Sequence, residues 1–240
     1  MEKMLNNFVG NLKEIFRDRL SSVFLYGSRA VEEGAASSDV NLMVIIKDLA
    51  AKDLKSAHKV VKKISKKTKS LPIFMDKDEW FNSCDVYAIE YSDIKERNKI
   101  LFGEDLISGL NVEKNNLRLQ CEREVKNLLI KLRQTYLAKA TDKRALENLI
   151  KMSSKTFMVI FRTILSLTNE AVPKNHNDVI KLFGEKIKNH EIEFDCEMFL
   201  KIIEFREKSK SLKGEKTEIV VQKLIDTTNS VLKYVDKINS

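Results

Sequence analysis

Residues 25–44 read Leu-Tyr-Gly-Ser-Arg-Ala-Val-Glu-Glu-Gly-Ala-Ala-Ser-Ser-Asp-Val-Asn-Leu-Met-Val. An apolar run ends at Gly27-Ser28, a polar loop around Gly34 follows, and Asp39 leads into a second apolar run, Leu42 to Ile46. That order predicts a strand, a turn and a second strand opened by a carboxylate. Glycine reaches backbone angles closed to other residues and lets a phosphate approach the main chain, while a serine hydroxyl at a helix start adds a donor. Mg²⁺ prefers carboxylates and phosphate oxygens, so a Gly-Ser turn beside an acidic strand has the chemistry to hold a metal-bound nucleotide.

Working outward, Leu5, Phe8, Val9, Leu12, Ile15 and Phe16 recur at helical spacing and predict an amphipathic helix over 3–19. Residues 21–26 and 40–46 are the first two strands, with a short helical turn at 28–31 between them. Residues 51–67 predict a helix with Leu54, Ala57, Val61 and Ile64 on one face and lysines over the rest. Two readings of that basic face stay open: a nucleic-acid surface, or the solvated outside of a helix that covers a sheet. Residues 71–75 predict a third strand, and 76–81 a short helix with Asp76 as its N-cap and Trp80 as a packing anchor. Asp85 to Tyr91 alternates and is rich in strand formers, so a fourth strand is expected there, with a short fifth at Ile100 to Phe102. His58 lies beside the apolar face of its helix and is the only histidine of the N-terminal half, so it has no partner for metal binding.

Near residue 110 the pattern changes from short apolar runs to helical periods that continue almost to the end. Helices are expected at 112–140, 143–168, 177–189, 195–210 and 216–237, with short connections that suit an antiparallel bundle. The fold expected is therefore α+β: a mixed sheet with flanking helices over residues 1–110, then an all-α bundle over 111–240.

Composition agrees with an ordered, largely helical chain of 240 residues, with 43% apolar residues, seven glycines and two prolines. No apolar run approaches the roughly 20 residues that span a bilayer, so no membrane partner and a cytoplasmic location are expected. Cys84, Cys121 and Cys196 are odd in number and far apart, which points away from a disulfide framework or a zinc site. A net charge of +8 suits a polyanionic partner such as ATP or nucleic acid, and equally a basic solvated surface.

The spacing Gly27-Ser28, ten residues, Asp39, one residue, Asn41 resembles the Gly-Ser and Asp-x-Asp motif of the polymerase-beta-like nucleotidyltransferase superfamily. Gly27, Ser28 and Asp39 match, whereas Asn41 stands where the family has a second carboxylate. The segments Asp85 to Lys95 and Phe161 to Pro173 resemble bacterial nucleotidyltransferase-domain proteins of about this length. Kanamycin-type antibiotic nucleotidyltransferases pair the same two parts. The Arg-x4-6-His motif of toxin-type helical domains is missing after Arg162.

The resemblance implies transfer of a nucleoside monophosphate from ATP or another NTP to a hydroxyl acceptor, a small molecule, nucleic acid or protein. It implies that Mg²⁺ or Mn²⁺ is held by Asp39, Asn41 and a third residue, and that Gly27 and Ser28 grip the phosphates with Arg29 beside them. Strand 71–75 has no acid, so Glu90, expected near the end of the fourth strand, is the candidate third ligand and, with Asp39, the catalytic carboxylate. An amide at position 41 opens the alternative of a degenerate module that binds nucleotide or protein without chemistry. The long apolar-faced helices also suit a homodimer.

Overall fold

The computed structural model describes residues 1–31, 40–188, 190, 194–208 and 216–238. Contacts divide the chain into two compact units, Met1–Glu113 and Lys114–Ser240.

The first unit begins with helix α1 (Glu2–Phe16), which buries Leu5, Phe8, Val9, Leu12 and Phe16. A 3-10 turn, Arg17–Arg19, feeds strand β1 (Leu20–Tyr26), and Gly27 leads into the single turn α2 (Ser28–Val31). Strand β2 (Asn41–Ile46), helix α3 (Ala51–Thr68) and strand β3 (Ile73–Asp76) follow. The unit closes with helices α4 (Lys77–Asn82) and α5 (Ala88–Glu96) and strand β4 (Asn98–Gly103).

The sheet order is β3-β2-β1-β4, with β1 antiparallel to both β2 and β4 and β3 parallel to β2. The mixed α+β architecture expected from the sequence is present. Strand alternation sorts the core into two layers. Val23, Leu25, Leu42, Val44 and Ile46 face α1 and α3, while Phe24, Met43 and Ile45 meet Met75, Trp80, Tyr91 and Ile94 on the other side. Trp80 is fully buried, donates its indole N–H to the Leu106 carbonyl at 3.0 Å, and stacks on Tyr91 at 4.4 Å. Asp76 caps α4 by accepting from the Asp78 amide at 2.8 Å.

The fourth strand expected at 85–91 is not there: residues 88–96 form α5. Ala88, Tyr91 and Ile94 are spaced three apart and all buried, which is a helical stripe. Within the seven residues 85–91 the alternating pattern and the start of that stripe coincide, and only the continuation to Ile94 separates them. Glu90 therefore sits on the exposed side of a helix. The strand expected at 100–102 is β4.

Among its described residues the second unit has helices as its regular elements: α6 (Lys114–Lys139), α7 (Lys143–Leu167), α8 (His176–Lys188), α9 (Cys196–Lys208) and α10 (Thr217–Lys237). Asp142 caps α7 through the Ala145 amide at 3.0 Å, turning the chain back after α6. α7 is the central helix, packing against α6, α8, α9 and α10. Its Phe157 and Phe161 meet Phe199, and Phe161 stacks on Phe183 at 4.1 Å. Arg162 of the same helix is buried and donates to the carbonyls of Pro173 and Lys174 at 2.8 and 2.6 Å, which anchors the turn into α8. Among the described residues no helix is long and apolar enough to cross a membrane.

Candidate functional site

One end of the sheet gathers the C-terminal end of β1 and the starts of β2 and β4. Tyr26 pairs with Asn41 on one side and Asn98 on the other. The Gly27 amide donates to the Arg97 carbonyl at 3.0 Å, and the Gly27 carbonyl accepts from Ala30 at 3.0 Å, closing the turn of α2. Gly27 has a φ of +78°, where a side chain is strained, and a Cβ there would stand 3.3 Å from Nδ2 of Asn41. Glycine thus permits both the turn and the close approach of Asn41. Ser28 and Arg29, the first residues of α2, are half-buried.

Asn41 is committed on its other side as well. Its Oδ1 accepts from the Ser70 hydroxyl at 3.3 Å. The parallel register sets Ile73 against Met43, so the chain just before β3, Ser70-Leu71-Pro72, is the part that reaches this end of the sheet. It carries no carboxylate. Asp76 is opposite Ile46, five residues further along β2, about 16 Å from the Asn41 level at ordinary strand rise. There it binds the Leu49 and Asp78 amides, which hold its carboxyl below the usual range.

Helix α5 brings acids from the other direction. Burial raises the Tyr26 hydroxyl above its ordinary pKa, and the charges of Asp93 and Glu90 add to the shift. Asp93 and Glu90, three apart on α5, are thus both in the electrostatic neighbourhood of Tyr26. Asp93 is ion-paired with Arg97, whose Nε donates to Oδ1 at 2.8 Å. The same Arg97 supplies the carbonyl that receives the Gly27 amide. Tyr26, Ser70, Asp93 and Arg97 are members of this site that the sequence reading missed. Only the i,i+4 spacing of Asp93 and Arg97 was visible in the sequence.

Asp39 lies outside the described residues. Among the described residues no group of three His, Cys, Asp or Glu stands close enough to hold a metal ion. The donors that are described here, a neutral amide bonded to Ser70 and an Asp93 paired with Arg97, do not fit a divalent cation by themselves.

The fold has a counterpart among solved structures. The chain is similar to the crystal structure of spectinomycin adenyltransferase AAD(9) from Enterococcus faecialis with ATP and spectinomycin, at 14% identity and a TM-score of 0.59, over 94% of this chain and 98% of that one. The fold is nucleotidyltransferase-like. Partial likenesses run to a mutant of the toxin-antitoxin pair MntA-HpeT, at 17% identity and a TM-score of 0.29 over 42% of this chain and 74% of that one. The tri-AMPylated Shewanella oneidensis HEPN toxin with MNT antitoxin gives 17% identity and a TM-score of 0.28 over 43% and 74%. No protein-family model and no curated protein matches the chain. In this nucleotidyltransferase-like fold the Gly27 turn stands at the end of β1, directly beside Asn41.

Proposed function

We propose that the chain is a nucleotidyltransferase that moves a nucleoside monophosphate from an NTP to a hydroxyl acceptor, with slow turnover. The acceptor oxygen bonds to the α-phosphorus, and the bond from that phosphorus to the β-bridging oxygen breaks. Pyrophosphate leaves with the electron pair, and the hydroxyl proton passes to a base or to solvent.

The observation that carries this reading is the Gly27 turn, held open at φ +78° at the end of β1 and hydrogen-bonded to Arg97. A backbone free of Cβ at that point lets the β- and γ-phosphates approach, with the Ser28 hydroxyl as donor and Arg29 beside it. A structural neighbour that contains ATP and spectinomycin, matched over 94% of this chain, supports the nucleotide assignment. Slow turnover follows from Asn41: a neutral amide supplies no negative charge to hold the divalent cation that would neutralise the phosphates, and electrostatic stabilisation supplies most of the catalysis in phosphoryl chemistry. Asp39 is the remaining carboxylate of the motif and carries the transfer chemistry in this reading.

A second reading, a nucleotide-binding or protein-interaction module without chemistry, draws on the Ser70 to Asn41 bond, which ties the amide oxygen into the fold. Pyrophosphate release from ATP with pooled hydroxyl compounds separates the two. The transfer reading expects a low wild-type rate, its loss in Asp39→Ala, and a rise of about a hundredfold in Asn41→Asp, equivalent to about 2.7 kcal/mol of barrier. A wild-type rate no higher than that of Asp39→Ala would leave the second reading.

A further inference from the structure

The outer face of α3 carries the molecule's charge excess. Residues 51–69 hold eight lysines (52, 55, 59, 62, 63, 66, 67 and 69) against the single acid Asp53, a net of +7 out of the chain's +8. Everything outside this segment is therefore close to balanced. At 3.6 residues per turn the seven lysines within α3 fall within an arc of about 140°, and Lys69 follows at its C-terminal end. All eight are exposed, and none is in an ion pair among the described residues. Asp53 lies on the opposite, buried side, held by Arg19 at 2.6 Å.

We propose that this face binds the phosphate backbone of nucleic acid. Charge complementarity selects the occupant. An anionic membrane surface recruits helices that also bury an apolar face in the lipid, but Ala57 and Ile64 of α3 are already in the core against α1 and the sheet. A protein partner needs a desolvated centre, for which lysine is a poor residue. A row of solvated ammonium groups about 27 Å long, without acids among them, instead matches a regularly charged polymer bound through counterion release. At the seam with α1, Lys63 and Lys67 border a groove of about 100 Å³ whose other edge carries Asn7 and Asn11, which adds polar groups beside the charged row. The inference stands apart from the nucleotide assignment at Gly27: Lys59, Lys63, Lys66 and Lys67 lie on α3, which packs with α1 on the face of the sheet away from α5, and Asn41 is reached through Ser70, beyond the end of the helix.

Fluorescence anisotropy with a labelled 20-base-pair DNA duplex and the matching RNA duplex tests it on the full chain. Four engaged lysines predict an affinity that falls on the order of a hundredfold between 50 and 200 mM salt. The variant carrying Lys59→Gln, Lys63→Gln, Lys66→Gln and Lys67→Gln keeps good helix formers at exposed positions, and circular dichroism checks its fold. It is expected to lose most of the binding and most of the salt dependence. Neutralising Lys131, Lys139, Lys155 and Lys181 in the second unit is expected to change little. Three results would overturn the proposal: no duplex binding at 50 mM salt, an equal loss in the two quadruple variants, or binding to phosphatidylserine vesicles but to neither duplex.

Discussion

The Ser70 hydroxyl donates to Oδ1 of Asn41 at 3.3 Å, joining the loop before β3 to the first residue of β2 at the mouth of the site. An aspartate at position 41 could accept the same bond and would add the negative charge that a divalent cation requires. Asn41→Asp is therefore expected to gain a Mg²⁺-dependent rise in melting temperature of several degrees at 10-fold excess over its Kd, while the wild type shifts by less than about a degree. Thermal melts with and without about 10 mM Mg²⁺ measure this. An equal response of the two proteins would remove Asn41 from the metal argument.

Gly103 ends β4 with a φ of +87°, and a Cβ there would lie 2.0 Å from the Ser21 carbonyl oxygen. Backbone rather than a flexible side chain opposes the substitution. Gly103→Ala is expected to destabilise the first unit by about 3 kcal/mol in urea unfolding. A loss below about 0.5 kcal/mol would show that the β1–β4 edge adjusts.

Tyr91 donates its hydroxyl to the Trp80 carbonyl at 2.7 Å inside the core, and this bond together with ring stacking holds α5 against α4. Tyr91→Phe leaves a buried carbonyl without that donor and is expected to cost about 1–3 kcal/mol. Trp80→Ala, which empties the largest buried side chain, should cost about 3–5 kcal/mol.

Arg19 grips Asp53 through two hydrogen bonds of 3.0 and 2.6 Å, and the Ala50 amide adds a third at 2.9 Å. These hold the Asp53 pKa at about 2. The unfolded chain, with an ordinary aspartate pKa of about 3.9, takes up the proton first as pH falls. The contribution to stability is thus complete above about pH 4 and is lost progressively toward pH 2. Melting temperatures across that window should fall more steeply for the wild type than for Asp53→Asn; parallel curves would contradict the assignment.

In the second unit Phe161 touches Phe157, Phe183, Phe194 and Phe199. Phe161→Ala is expected to cost about 4 kcal/mol, read as a lower unfolding midpoint by helical circular dichroism. An unchanged midpoint would mean that this cluster does not hold the helices together.

Local constraints were legible in the sequence. Gly27-Ser28 announced the turn because only glycine tolerates its backbone, and Asp76 announced α4 because a cap acts within three residues. The third and last strands and all five helices of the second unit were visible as periods. α5 was not, since seven residues of alternation at 85–91 hide the start of a helical stripe that only Ile94 completes. The bond from Ser70 to Asn41 spans 29 positions and exists because β3 runs parallel to β2, a register that no local pattern encodes. The approach of Glu90 and Asp93 to Tyr26 is of the same kind: it needs α5 to be a helix and to pack on the Phe24 face.

The central claim, that nucleotide is held at the Gly27-Ser28 turn, is tested most directly by calorimetric titration of Mg²⁺-ATP into the wild type and Ser28→Ala. The account predicts saturable one-to-one binding by the wild type and about tenfold weaker binding by the variant, the loss of one charge-assisted hydrogen bond. Absence of binding by folded wild type at about millimolar ATP, or equal affinity in Ser28→Ala, would contradict it.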